Sequence, residues 1–77
     1  SNSYFSTIFK AMNGVSVWDY VTGKRVELAK KYIRENEKSI TEISGLCGFN
    51  TIANFNRSFK MVTHCTPSGY RKTWMED

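Results

Sequence analysis

The sequence has 77 residues, with 40% hydrophobic and 23% charged side chains and a formal net charge of +4. A chain of this length forms one small domain that buries only about 60% of the surface its unfolded state exposes, and its average composition excludes a disordered or low-complexity protein. It contains no apolar run near the ~20 residues of a membrane helix and no pattern typical of a signal peptide, so we expect a cytoplasmic protein.

Helical periodicity runs through nearly the whole sequence, which predicts an all-α fold of five helices. The first helix extends from about Ser3 to Asn13 and ends at Gly14, which supplies a left-handed residue. One stripe of this helix is apolar and the opposite face is polar. The apolar stripe consists of Phe5, Ile8, Phe9 and Met12, and the outward face of Ser3, Tyr4, Ser6, Thr7 and Lys10.

The second predicted helix is long and runs from Ser16 to about Glu35. Ser16 followed by Asp19 three positions later is a capping-box arrangement that starts a helix. Gly23 lies inside this helix and costs about 1 kcal/mol relative to alanine. The expected inner stripe comprises Val17, Tyr20, Val21, Leu28, Ala29, Tyr32 and Ile33.

The third and fourth predicted helices are joined by a tight turn. Ser39 and Glu42 form a second capping box at the start of a short helix, and Gly48 can take the positive φ that a tight turn requires. Asn50 or Thr51 then caps a helix of about three turns. The residues expected to face inward are Ile40, Ile43 and Leu46 in the third helix and Phe55, Phe59 and Val62 in the fourth. Two helices joined in this way form a helix-turn-helix unit.

A fifth helix is predicted from Pro67 towards Met75, because Thr66 is a good N-cap and proline is favoured at the first helical position. The residues from Ile43 to Met75 include no carboxylate. The basic residues in this stretch are Arg57, Lys60, Arg71 and Lys72. A positive field of this kind attracts the phosphates of nucleic acids, although it is also compatible with simple solubility.

The pattern of the first helix is repeated in the fourth. Residues 3–21 align with residues 53–71 at a constant offset of fifty positions, without a gap. The matching pairs are Phe5 and Phe55, Phe9 and Phe59, Lys10 and Lys60, and Tyr20 and Tyr70. The repeat indicates two helices with the same inner face and the same role.

The outward face of the fourth helix predicts contacts with DNA in the major groove. It carries Ala53, Asn54, Asn56, Arg57 and Lys60. The planar fork of an arginine suits guanine O6 and N7, asparagine can read adenine, and lysine suits a phosphate. A helix with these residues on its solvent face is also common in proteins that do not bind DNA, so the residues alone leave both interpretations open.

The stretch from Ser39 to Arg71 resembles the C-terminal signature of the AraC/XylS family of bacterial transcription regulators, in which I-x-E-I-A, G-F, F-x-R-x-F-K and P-x-x-Y-R recur at this spacing. The matching residues are Ile40, Glu42, Ile43, Gly48, Phe49, Phe55, Arg57, Phe59, Lys60, Pro67, Tyr70 and Arg71. Upstream, residues 9–16 and Tyr20, Arg25 and Ala29 also fit. The resemblance therefore covers essentially the whole chain.

The resemblance implies a homeodomain-like double helix-turn-helix domain over residues 1–77, in which each unit places a recognition helix in the major groove. Residues 1–15 would hold the recognition helix of an N-terminally truncated first unit, residues 16–36 the linker helix, and residues 39–77 the second unit with the C-terminal helix. Base contacts are expected from Ser3, Ser6, Thr7, Ala53, Asn54, Asn56 and Arg57, and phosphate contacts from Lys10, Ser39, Thr51, Lys60 and Arg71.

The resemblance also implies the partners of the protein. It predicts sequence-specific binding to double-stranded DNA at the bacterial nucleoid, without a cofactor and with the effector-binding domain absent from this chain. Independently of the resemblance, RNA polymerase is a candidate partner for an apolar surface of the domain. One residue departs from the family pattern: His64 stands where glycine is frequent and aligns with Gly14. If this position is left-handed, His64→Gly should stabilise the fold.

Two other classes of function compete with DNA binding. A helical protein-interaction module could use an apolar surface formed by Phe5, Phe9 and Trp18. An enzyme is disfavoured, because the sequence has neither paired carboxylates nor a nucleophile with a base. A metal site is also disfavoured, since Cys47 and Cys65 form no CxxC pair and lack histidines at finger spacing, so we expect reduced thiols.

Overall fold

The computed structural model describes residues 2–75, and these residues form five helices and no strand. The helices are α1 (Asn2–Asn13), α2 (Val17–Glu35), α3 (Ile40–Leu46), α4 (Ile52–Thr63) and α5 (Pro67–Met75). The all-α prediction is confirmed, and each helix lies where the sequence pattern places it. No described helix combines the length and the apolarity needed to traverse a lipid bilayer.

The helix starts are built from the predicted capping residues. In each case a hydroxyl oxygen accepts a hydrogen bond from the backbone N–H three positions later. The pairs are Ser16 with Asp19 (3.1 Å), Ser39 with Glu42 (3.0 Å), Thr51 with Asn54 (3.0 Å) and Thr66 with Gly69 (3.0 Å). Because each cap is worth about 1 kcal/mol, these four bonds define the helix starts locally.

The hydrophobic core lies in the second half of the chain, where α3, α4 and α5 pack around α2. Its buried members are Val26, Ala29, Ile33, Ile43, Cys47, Phe49, Phe55 and Phe59. Burying a side chain such as Phe or Ile contributes about 1.5–3 kcal/mol. This core therefore holds α4 rigidly against α2.

Several residues expected to face inward are instead exposed. Leu46 is 51% exposed and Val62 is 42% exposed. On α2, Tyr20, Val21 and Leu28 also remain more than a third exposed. The stripe of α2 that enters the core is Thr22, Val26, Ala29 and Ile33, with helical spacing, so the apolar residues beside it lie at its flank. The predicted stripe lacked both Thr22, which is polar, and Val26, which is apolar and completely buried.

The sequence repeat is also a repeat of geometry. Gly14 and His64 both have a left-handed backbone, with φ values of 80° and 68°, which confirms the expectation for His64. The N–H of each donates to a carbonyl four residues earlier at 2.8 Å. The ring pair Phe9 and Tyr20 (5.5 Å, 72°) matches the ring pair Phe59 and Tyr70 (5.6 Å, 67°).

The two repeats differ in how well their inner faces are covered. Phe55 is completely buried, whereas its counterpart Phe5 is 60% exposed. The Phe49 ring lies 5.1 Å from the Phe55 ring, and α4 packs against α2, α3 and α5. By contrast, α1 packs mainly on α2. The second unit is therefore the more completely packed part of the described structure.

Candidate nucleic-acid interface

The outward face of α4 is largely exposed, and most of its polar side chains are unengaged. Ala53, Asn56, Arg57 and Lys60 all lie on the solvent side, opposite the buried Phe55. Within residues 2–75, no hydrogen bond or ion pair involves the side chains of Asn56, Arg57 or Lys60. The donors of this face are therefore available to an external acceptor, as contact with base edges or phosphates requires.

Asn54 lies at the edge of this face. Its side chain is half-buried, and its Oδ1 accepts a hydrogen bond from the Ser58 hydroxyl at 3.3 Å. Ser58 is itself buried, at 2% exposure. This bond leaves the Asn54 amide nitrogen as the group with donors to offer. The structure therefore holds Asn54 in a more fixed orientation than Asn56.

The predicted phosphate-contacting residues Thr51 and Ser39 are both N-caps. Their hydroxyl oxygens accept bonds from backbone N–H groups, as described above, and both residues are exposed. A hydroxyl has one donor in addition to its acceptor lone pairs. Each can therefore cap its helix and still donate to a phosphate oxygen.

Arg71 is engaged within the domain. It is half-buried, its Nη2 donates to the carbonyl oxygen of Lys38, and its Nε is buried without a hydrogen-bond partner among residues 2–75. This bond ties α5 to the segment between α2 and α3. The Lys38 ammonium lies 5.1 Å from the centroid of the Tyr32 ring. Arg71 is therefore held more firmly within the domain than the exposed Lys60 and is less free to turn towards a phosphate.

The corresponding face of α1 is polar but short of strong hydrogen-bonding groups. Ser3, Ser6, Thr7 and Lys10 are all exposed. The Thr7 hydroxyl donates to the Ser3 carbonyl at 2.9 Å, so its donor is used within the helix. Hydroxyls discriminate weakly between bases. The α4 face is therefore better equipped to read sequence than the α1 face.

One charged residue near α4 was not selected from the sequence as a site residue. The guanidinium carbon of Arg25, on α2, lies 6.0 Å from the centroid of the Phe49 ring, beside the turn that leads into α4. No sequence spacing connects these positions, because the contact depends on how α2 packs against the second unit. In the sequence, the sign that Arg25 matters was its fit to the AraC/XylS family pattern.

The charge distribution favours a polyanionic ligand. The residues from 43 to 75 contain no carboxylate. In the described part of the chain, the ion pair between Lys30 and Glu27 (3.5 Å) lies on α2, away from the α4 face. No carboxylate within residues 2–75 forms an ion pair with the positive charges on α4. An uncompensated patch of this sign raises the local concentration of phosphates.

The dimensions of the molecule allow two separate contacts with a duplex. The nineteen residues of α2 span about 28 Å at 1.5 Å per residue, and the longest dimension of the described structure is 47 Å. Successive major-groove segments on one face of DNA are about 34 Å apart. The fold is therefore long enough to reach both.

The two cysteines form no disulfide, and the described residues contain no group of three potential metal ligands. Cys47 is buried, and this desolvation raises the pKa of its thiol. The Cys65 sulfur lies 3.4 Å from the Thr63 hydroxyl. Both thiols belong to the packing of the second unit.

The helix-turn-helix domain family matches residues 1–73 of the chain. Among curated proteins, "Probable transcriptional regulator LumQ" of Photobacterium leiognathi is 32% identical over 71 residues, which are 92% of this chain and 29% of LumQ. The transposon Tn10 TetD protein of Escherichia coli is 35% identical over 69 residues, which are 90% of this chain and 50% of TetD. The chain thus spans half or less of these relatives.

Two solved structures have the same fold. The C-terminal domain of the two-component response regulator YesN from Fusobacterium nucleatum superposes with a TM-score of 0.87 at 35% identity, over 92% of this chain and 69% of that one. A protein of unknown function from Listeria innocua superposes with a TM-score of 0.90 at 33% identity, over 95% of this chain and 70% of that one.

Proposed function

The chain belongs to the AraC-type helix-turn-helix family, and from this membership we propose that it binds double-stranded DNA sequence-specifically in the major groove, as part of a bacterial transcription regulator. The observation that carries the proposal is the α4 face, on which Asn56, Arg57 and Lys60 are exposed and unengaged. The rigid packing of α4 on α2 supports it, because a base reader must be held in a fixed orientation.

Within this proposal, the residues of the second unit have distinct roles. Arg57 donates both arms of its guanidinium to a guanine, and Asn54 and Asn56 read adenine. Ala53 keeps the face flat enough to approach the bases or contacts a thymine methyl group. The phosphate contacts come from the Lys60 ammonium and the Thr51 hydroxyl, which set the register without reading sequence.

The first repeat would supply a second, weaker contact. Ser3, Ser6 and Thr7 face the bases in this arrangement, and Lys10 meets a phosphate at the position equivalent to Lys60. The length of α2 supports this assignment, because it separates the two helices along the duplex. Ser39 and Arg71 are assigned to the backbone of the DNA, although Arg71 is the weaker candidate because of its bond to Lys38.

The test is a fluorescence-anisotropy titration with a pool of random-sequence duplexes at low and moderate salt, followed by sequencing of the retained DNA. We expect binding that enriches a motif of a few base pairs. A plot of the logarithm of the affinity against the logarithm of the salt concentration should have a slope of about −0.9 for each phosphate that the protein neutralises. Salt-insensitive binding or an unenriched pool would contradict sequence-specific recognition.

A matched pair of variants locates the reader. Arg57→Ala and Lys31→Ala each remove one exposed positive charge, but Lys31 lies on α2. The proposal requires Arg57→Ala to abolish or change the enriched motif and Lys31→Ala to preserve it. If both variants enriched the original motif equally, α4 would not be the reading helix.

An exposed apolar surface supports a contact with RNA polymerase as a second part of the same function. Phe5 and Trp18 are 60% and 57% exposed, and Phe9 is half-buried. The relatives favour DNA binding over a module that acts only through protein contacts. The polymerase contact is tested by light-scattering titration of the DNA-bound domain with RNA polymerase, in which binding should survive moderate salt and be lost in Trp18→Ala.

The proposed function takes place in the bacterial cytoplasm, at the nucleoid, and it requires no catalysis or cofactor. The free energy of DNA binding comes from counterion release and from hydrogen bonds to base edges. Whether the regulator to which the domain belongs activates or represses depends on where its sites lie relative to a promoter, and footprinting on the enriched motif identifies them.

A further inference from the structure

Arg25 packs directly against the backbone of the turn between α3 and α4. A Cβ atom added to Gly48 would lie 3.1 Å from Nε of Arg25 and 3.4 Å from its Cζ. The same guanidinium lies 6.0 Å from the centroid of the Phe49 ring. Because Gly48 has no side chain, the guanidinium lies close to the turn, and a Cβ at this position would push it back by a few tenths of an ångström.

The turn that Arg25 contacts leads into α4. Gly48 has a φ of +90°, its N–H donates to the Gly45 carbonyl at 3.1 Å, and the Phe49 N–H donates to the Ser44 carbonyl at 3.1 Å. The Phe49 ring then packs 5.1 Å from the Phe55 ring on α4. Contacts therefore run without interruption from Arg25, through the turn, to the buried face of the reading helix.

We propose that Arg25 is a positioning residue for DNA recognition: its planar guanidinium, which lies beside the Phe49 ring and against Gly48, fixes the orientation of α4 relative to α2. The proposal rests on the proposed DNA-binding function. Its physical basis is shape and cation–π attraction, since no hydrogen bond or ion pair within residues 2–75 involves the Arg25 side chain. Through α2, the same contact sets the orientation of α4 relative to α1.

A simple phosphate contact by Arg25 makes a different prediction. A phosphate contact depends on positive charge, which lysine retains, whereas close packing against Gly48 beside the Phe49 ring depends on the planar guanidinium, which lysine lacks. A phosphate contact also contributes equally to all sequences. A positioning contact instead contributes to the difference between the selected sequence and random DNA.

The experiment measures the affinities of the domain for the motif enriched by the wild type and for random duplex DNA. Arg25→Lys and Arg25→Ala should both lower the ratio of these affinities by about fivefold to tenfold or more, which is the scale of one mismatched base pair. Affinity for random DNA should be nearly unchanged in Arg25→Lys. Arg34→Lys is the matched control, because Arg34 lies on the same helix and contacts Tyr70 and Trp74 of α5; it should preserve the ratio.

Two results of the DNA-binding experiment would overturn the proposal. The first is that Arg25→Lys keeps the wild-type ratio of affinities for selected and random DNA. The second is that Arg25→Ala loses affinity equally for both DNAs and has a salt slope smaller by about one. A readout without DNA separates this proposal from the proposed function. Amide NMR shifts of residues 47–55 should change in Arg25→Lys and not in Arg34→Lys, whether or not the domain binds DNA; unchanged shifts at these residues would also refute the positioning role.

Discussion

Replacing Phe55 with alanine should destabilise the domain far more than the same replacement at Phe5, its counterpart in the first repeat. The two residues occupy equivalent positions on α1 and α4. Phe55 is completely buried, and Phe5 is 60% exposed. The pair is therefore an internal control, in which residue type and helix position are constant and burial alone differs.

The magnitudes follow from burial. Truncating a buried phenylalanine costs about 3–5 kcal/mol, including the cavity that remains. Full burial of the side chain contributes about 1.5–3 kcal/mol, and Phe5 retains about 40% of that burial, so its truncation should cost roughly 0.6–1.2 kcal/mol. A domain of this size has about 4–12 kcal/mol of total stability. Phe55→Ala thus removes at least a quarter of the total, and at the upper end of the cost it removes all of it.

Urea denaturation followed by circular dichroism at 222 nm measures both values. With a slope of about 1 kcal/mol per molar urea for a small domain, the midpoint should fall by about 3 M or more in Phe55→Ala and by about 1 M or less in Phe5→Ala. Tryptophan fluorescence provides a second probe, which checks that unfolding is two-state. Equal losses in the two variants would refute the reasoning, because they would mean that Phe5 is as well packed as Phe55.

Three further predictions concern individual side chains. His64→Gly should raise the unfolding free energy by a few tenths to about 1 kcal/mol, because the φ of 68° disfavours a residue with a Cβ; an unchanged or lower melting temperature would contradict this. Arg57→Ala should cost about 1–3 kcal/mol of binding free energy at one base position, whereas Lys60→Ala should weaken binding to all sequences and reduce the salt slope by about one. Equal losses of affinity for selected and random DNA in both variants would count against these roles. Because burial raises the pKa of the Cys47 thiol, the unfolded chain releases this proton at lower pH than the folded one. The stability that the neutral thiol provides is present below the thiol's ordinary pKa and lost as pH rises above it. Cys47→Ala should therefore remove a fall in the unfolding free energy with pH, measured by urea titrations at alkaline pH. An unaltered fall would show that another group causes it.

The helices, their starts and the repeat could be predicted from the sequence because they depend on local interactions. A serine or threonine caps the N–H three positions later whatever lies elsewhere in the chain, and Ser16, Ser39, Thr51 and Thr66 all do so. The outward position of Arg57 follows from helical periodicity once Phe55 is inside. The family was also recognisable from motif spacing.

Tertiary packing decided how deeply each residue is buried and which polar groups remain available. Leu46 and Phe5 follow apolar patterns as regular as that of Phe55, yet they are exposed because no neighbouring helix covers them. Asn54 and Arg71 look as free in the sequence as Arg57, but Ser58 and the Lys38 carbonyl engage them.

The contact of Arg25 with Gly48 illustrates the same limit. Helical periodicity places a residue on a face of its own helix, but it carries no information on which other helix lies against that face. The approach of the guanidinium to the turn exists only because α2 crosses the second unit at that point. Local chemistry therefore determined the helices of this protein and the outward face of α4. The packing of α2 against α3, α4 and α5 decided how that face is held in place.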